Sequence, residues 1–259
     1  MTLEAVFVRD GDSYRATDAA LGPWYEGALH GGAPAALLVH AVSAAVADPA
    51  LRLARITYEF VRPVPLGELS ITVDVVRTGR RVTLLDATLL DGEQTEVLRA
   101  RALLVRPSEL GQLPLSPPPF PGPEEGRTSD FPGLRRPTFA TEAMDIRFVE
   151  GSFLQPGSAT AWFRLRRPLV SGGPTSPLER VAAAGDFGNG IASVLSWEEH
   201  VFINPDLTLY FEREPVDEWV ALQAETRVSL GSVAVAESVL WDQQGQIGRA
   251  TQALVVGPR

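Results

Sequence analysis

The chain has 259 residues, 45% of them apolar and 21% charged, with a net charge of −9 and no cysteine. This composition suits a globular protein that buries a core as one large domain or two ordinary ones. The acidic balance excludes nucleic-acid binding as a main role, and the missing thiols exclude disulfides, thiol nucleophiles and cysteine metal sites.

All 23 basic residues are arginine. That excludes Schiff-base chemistry and a Walker lysine but keeps the planar fork that suits phosphate. No apolar run is long enough to span a bilayer, so no membrane role is expected. The opening MTLEAVFVRDGD lacks the basic-then-apolar order of a secretory leader. The expected compartment is the cytoplasm.

Taken in chain order, the first half opens with the extended segment LEAVFVRDGDSYRAT. HGGAPAALLVHAVSAAVA (residues 30–47) then predicts a helix after a glycine pair. Four strand-like runs follow: ARITYEFVRPVP, ELSITVDVVRTG, RRVTLLDATLLDG and TEVLRARALLVR. Residues 106–141 hold nine of the 21 prolines and read as a stiff, extended linker.

The second half repeats the order. MDIRFVEGSFLQPGSATAWFRLRRP is extended, and SPLERVAAAGDFGNGIASVL carries the helix. HVFINPDLTLYFER, DEWVALQAETRVSLG, SVAVAESVLWDQQG and QIGRATQALVV are the strands. The halves align: Thr57–Arg62 with Thr208–Arg213, Asp91-Gly92 with Gln244-Gly245, and Ala102–Val105 with Ala253–Val256. This is an internal duplication of about 110 residues, too long for a solenoid period. The expected domains are residues 1–106 and 142–259, joined by a linker at 107–141. Each copy is one helix with an antiparallel meander, and two copies would pair edge to edge into one continuous sheet.

One stretch breaks the helical pattern. In VAAAGDFGNG, Gly185, Gly188 and Gly190 surround Asp186 and Phe187. Glycines serve where a backbone or a ligand must come close, and the carboxylate is either a cap for a restarting helix or a working group. His30 before Gly31-Gly32 is either a ligand contact or a histidine bonded to backbone at the helix start. Gln252, judged by alternation alone, suits a solvent-facing strand position. Trp24 and Tyr25 pack under a loop or line a tunnel. There is no G-x-S-x-G, no P-loop, no G-x-G-x-x-G opening a helix and no H-x-x-x-H.

These features together resemble the type II acyl-CoA thioesterases and their thioesterase-like relatives. The resemblance is carried by Trp24 with HGG-x-x-AALL from His30, by I-x-Y-x-F-x-R-P at Ile56–Pro63, and by three second-half positions. It implies an α+β double hotdog fold, with each long helix wrapped by an antiparallel sheet. It implies a substrate, acyl-CoA, hydrolysed by a water held by three side chains. The family's helix aspartate falls on Asp186, its last-strand glutamine on Gln252, and its threonine on Asn204, a departure in type.

The resemblance implies no metal and no cofactor. Gly188, Phe187, His30, Gly31, Gly32 and Trp24 are the implied substrate contacts, with an oxyanion hole near Gly188. Arg135-Arg136 and Arg166-Arg167 are expected contacts for CoA phosphates. Association into a homo-oligomer is a further expectation. Two other readings use the same fold: a non-catalytic acyl-CoA or lipid-binding module, with Asn204 as the mark of lost activity, and an enoyl-CoA hydratase using His30.

Overall fold

The computed structural model describes residues 4–46, 48–108, 118–131, 136–229 and 233–259. The helix expected after the glycine pair is α1, Gly32–Ala45. Its residues from Gly32 to Val39, and Val42, are buried, so it runs through the core rather than lying on a surface. Pro34 falls in its first turn, where a missing N–H loses no helical bond. Ahead of α1, β1 (Phe7–Asp10) and β2 (Ser13–Ala16) form a hairpin. After it come β3 (Arg52–Phe60), β4 (Glu68–Thr78), β5 (Val82–Asp91) and β6 (Glu96–Val105).

The second half starts with a single turn, α2 (Phe139–Glu142), and the hairpin of β7 (Met144–Ser152) and β8 (Gln155–Leu165). Helix α3 (Pro177–Gly185) is capped by Ser176, whose side chain accepts from Glu179 N while Ser176 N donates to the Glu179 carboxylate at 2.9 Å. After a break it resumes as α4 (Gly188–Ile191). The strands are β9 (His200–Ile203), β10 (Asp206–Phe211), β11 (Val220–Val228), β12 (Val233–Asp242) and β13 (Gly245–Pro258). The single run expected from HVFINPDLTLYFER is therefore two strands. Asn204-Pro205 divides them, because proline restricts the residue before it and removes a ladder donor.

All 13 strands among the described residues join one sheet, ordered β1-β2-β4-β5-β6-β3-β10-β13-β12-β11-β8-β7, with β9 paired to the far end of β13. The order is the same from either edge: a hairpin, a meander, then the first long strand after the helix. The axis of this symmetry lies between β3 and β10, where Thr57 faces Thr208 and their hydroxyls meet at 3.2 Å. The edge-to-edge joining of the repeats is thus made by their central strands. No helix among the described residues is long and apolar enough to cross a membrane.

One part of the repeat alignment is corrected. Thr57 pairs with Arg101, and Thr208 pairs with Thr251. Arg101 is therefore equivalent to Thr251, and Ala102 to Gln252 rather than to Ala253. The turn is the cause. Eight residues, 90–97, join Leu89 to its partner Leu98, but seven, 241–247, join Leu240 to Gly248. A slip of one residue exchanges the faces of a strand. Gln252 accordingly faces the core, 2% exposed, between buried Ala250 and Leu254, and the solvent-facing reading fails.

The proline-rich segment is docked where it is described. Phe120 stacks on Trp241 with centroids 4.3 Å apart. Trp162 Nε1 donates to Pro121 O at 2.8 Å, and Arg127 exchanges backbone bonds with Phe148.

The two helices touch at their inner ends. A Cβ on Gly32 would stand 2.4 Å from the Ala183 carbonyl oxygen. Gly32→Ala is expected to destabilise the protein by about 1–3 kcal/mol, the usual cost of overpacking. Gly92→Ala, whose Cβ would have its nearest neighbour at 3.8 Å, is expected to change stability by no more than about 0.5 kcal/mol. Urea unfolding of both variants checks the contrast; equal effects would contradict the packing described.

Candidate active site

Asp186 sits where α3 breaks. It follows the last helical residue and keeps near-helical dihedrals, φ −80° and ψ −6°. Phe187, not Asp186, precedes α4, and α4 has no side-chain cap. The capping reading of Asp186 therefore fails. Its carboxylate instead points to the seam between the two repeats and is 6% exposed.

Three elements converge on it. Asn204 Nδ2, from the bend between β9 and β10, donates to Asp186 Oδ1 at 2.8 Å. The same amide donates to Asp206 O at 3.0 Å; since both partners are acceptors, the Asn204 carbonyl oxygen is turned away from them. Gln252 Nε2, from β13, donates to Asp186 Oδ1 at 3.2 Å and to Asp186 O at 3.3 Å. Its other end, Oε1, accepts from Asn189 N at 3.2 Å. The third element is the start of α1, where His30 Nδ1 lies 3.2 Å from Asp186 Oδ2. Gly32 N donates to that same Nδ1 at 3.1 Å and also toward the carboxylate.

Burial decides the protonation of this cluster. It pushes the Asp186 carboxyl up to about 7, while the donors from Asn204, the Gly32 backbone and Gln252 pull the other way. The same burial lowers His30 to about 3 and keeps its imidazole neutral. Tyr58 also lies near; burial, with the negative charge of Asp186 adding to it, raises its hydroxyl well above 10. That hydroxyl donates to Ala35 O at 3.0 Å.

The cluster forms the polar end of a cavity of about 350 Å³. The rest of the wall is largely apolar, with Trp24, Phe60, Phe131, Phe153, Phe187 and Trp197 as its large side chains. Trp24 and Trp197 stack with centroids 5.0 Å apart, and Phe187 stacks on His30 at 4.3 Å. Gly31 lines the cavity, and a Cβ there would stand 2.7 Å from Asp186 Oδ2. Bare backbone at this position is what lets α1 reach the carboxylate.

Two expected contacts lie elsewhere. Gly32 packs on Ala183, and a Cβ on Gly188 would meet Ser238 Oγ at 2.7 Å and Gln252 Oε1 at 3.2 Å. Both glycines serve close packing behind the cavity and stand outside its wall. The arginine pairs are also engaged in structure. Arg136 donates to Tyr25 O, Arg166 to Thr141 O, and Arg167 to Glu142 O and Glu4 O. Arg135 lies outside the described residues. The arginine in the cavity wall is Arg62, which the sequence hides as an ordinary strand-end charge. Phe131, Phe153 and Trp197 were equally hidden, since each comes from a turn or connecting segment with no periodic signal. Asn189 had a faint one, a polar residue inside the glycine run.

Comparison with known proteins places these observations. A model of the N-terminal domain of acyl-CoA thioesterases matches residues 20–105, and a model of their C-terminal domain matches residues 114–256. No curated protein matches the chain. Among solved structures, a candidate thioesterase II from Thermobifida fusca is 20% identical with a TM-score of 0.77, over 97% of this chain and 95% of that one. A protein with a hot dog fold from Alicyclobacillus acidocaldarius is 18% identical with a TM-score of 0.73, over 98% and 95%. Acyl-CoA thioesterase II TesB2 from Mycobacterium marinum is 18% identical with a TM-score of 0.69, over 96% and 94%. At these identities the structures establish the fold, and the fold is the expected double hotdog.

The Asp186 carboxyl is expected to titrate near pH 7 in carboxyl-labelled NMR, with Asp186→Asn assigning the resonance. Asn204→Ala removes a donor that favours the charged form, so it is expected to raise that midpoint further. A midpoint near the usual carboxylate value of about 4, or no movement in Asn204→Ala, would contradict the site geometry.

Proposed function

The chain belongs to the acyl-CoA thioesterase family, and from that premise we propose that it hydrolyses an acyl-CoA thioester to free acid and CoA. One observation carries the reading: the buried carboxylate of Asp186, held by Asn204 and Gln252, closes the polar end of an otherwise largely apolar cavity.

In this reading a water sits between the Asp186 carboxylate and the free carbonyl oxygen of Asn204, giving a hydrogen bond to each. Asp186 takes one proton as the water attacks the thioester carbonyl. Gln252 has both amide ends engaged, so its part is to fix the carboxylate rather than to touch the water. Asparagine serves in place of a threonine because its carbonyl still accepts from the water. The raised carboxyl of Asp186 suits a base working near neutral pH.

The acyl group lies among the aromatic side chains, and Arg62 at the wall receives a CoA phosphate. Trp197 also borders a second hollow, lined by Leu154, Ile191 and Leu195, and so sets the end of the acyl space. The contact of His30 with Asp186 favours one other reading, the addition of water to an enoyl-CoA. That reaction would consume the enoyl absorbance without releasing thiol.

Release of free thiol from a panel of acyl-CoAs tests the proposal. Wild type is expected to turn over many equivalents, and Asp186→Asn to lose about 10²–10⁴-fold in kcat, the usual worth of a general base. Absence of turnover, or an unimpaired Asp186→Asn, would overturn it. Trp197→Ala is expected to move the preference to longer acyl chains by opening the second hollow; an unchanged chain-length profile would refute that placement.

A further inference from the structure

His30 is placed for more than contact with the substrate. Its ring lies between two aromatic neighbours, stacked on Phe187 at 4.3 Å and tilted on Phe139 at 5.3 Å. Its Nδ1 edge is fixed by Asp186 Oδ2 and Gly32 N. The opposite edge, Nε2, has no hydrogen-bond partner among the described residues and is not among the buried atoms left without one. The residue lines the cavity, with its side chain 11% exposed. Nε2 is therefore the edge that opens to the cavity, on the opposite side of the ring from the carboxylate.

We propose that His30 is a second catalytic residue, a relay that receives at Nδ1 the proton Asp186 takes from water and delivers another from Nε2 to the departing thiolate sulfur. The inference rests on the thioesterase reading above. The backbone contact agrees with it: with Gly32 N donating to Nδ1, the neutral ring carries its proton on Nε2. It also fits a ring that stays neutral through the reaction.

The step balances. Water oxygen bonds the acyl carbon, and one water proton passes to Asp186. The C–S bond breaks with its electron pair on sulfur, which takes the Nε2 proton. Asp186 passes its proton to Nδ1 and is a carboxylate again. In one concerted reset the Nδ1 proton passes back through Asp186 to solvent as the acid product gives its proton to Nε2, so the ring is never doubly protonated. The sum is thioester and water to thiol, carboxylate and one proton. Tyr58 takes no part, because its hydroxyl is committed to Ala35 O.

The test uses the leaving group. Acyl-CoA needs a proton on sulfur as it leaves, whereas the aryl thioester of the same acid departs as a stable thiolate. His30→Asn keeps a polar group facing Asp186 but cannot relay. It is expected to lose about 10²-fold or more in kcat on acyl-CoA and at least about tenfold less than that on the aryl thioester. Asp186→Asn is expected to lose activity on both. Equal loss by His30→Asn on the two substrates, or no loss on acyl-CoA, overturns the relay while leaving hydrolysis by the wild type intact. Failure of the wild type on every thioester would instead sink the thioesterase reading and the relay with it.

A second measurement needs no variant. Across thioesters of one acid with thiols of graded basicity, wild-type kcat is expected to vary little, because the sulfur leaves protonated. A steep fall with thiol basicity would overturn the relay even if His30→Asn does not fold.

Discussion

The site depends on the close approach of α1 to the break after α3. Two adjacent glycines allow it. Gly32 brings the first turn of α1 onto the carbonyl of Ala183, and Gly31 leaves room for the Asp186 carboxylate and Phe60. A methyl group at either place would separate the repeats where their polar groups must meet. The β3–β10 pairing sets the two repeats side by side, and the glycines then bring the helix ends within hydrogen-bond reach.

Burying a carboxylate at that seam is costly unless donors surround it. Here they come from both repeats: Gly32 N from the first, Asn204 and Gln252 from the second. They do not fully compensate for lost water, which is why the carboxyl stays near 7. A weaker set would keep the group protonated, and a stronger set would make it a poor base. Gln252 in turn is held by the backbone of Asn189, so the break in the second helix both carries the aspartate and supplies the donor that orients its partner.

The sheet keeps the symmetry of the duplication, and the site does not. Ala102 occupies the place of Gln252 in the first repeat, and Leu53 that of Asn204, so the symmetry-related positions are apolar and buried. The first repeat gives up its own cluster and contributes an unbroken core helix and the His-Gly-Gly start that reaches across. A duplicated chain can specialise one half in this way because the two copies are free to diverge in sequence while sharing a sheet.

Much of this was legible in the sequence by itself. Periodicity and turn residues located both helices and nearly all the strands, and internal similarity disclosed two repeats, because these signals are local and repeat along the chain. The glycines around Asp186 marked the broken helix for the same reason. The resemblance drew attention to Asp186, Asn204 and Gln252. Tertiary structure alone decided the rest. The face of Gln252 depends on a turn one residue shorter than its counterpart, and alternation cannot reveal the origin of its own count. The pairing of His30 with Asp186 spans the two repeats and exists only once β3 meets β10. Phe131, Phe153 and Trp197 come from turns and connecting segments with no periodic relation, so only the folded chain could show that they face one cavity.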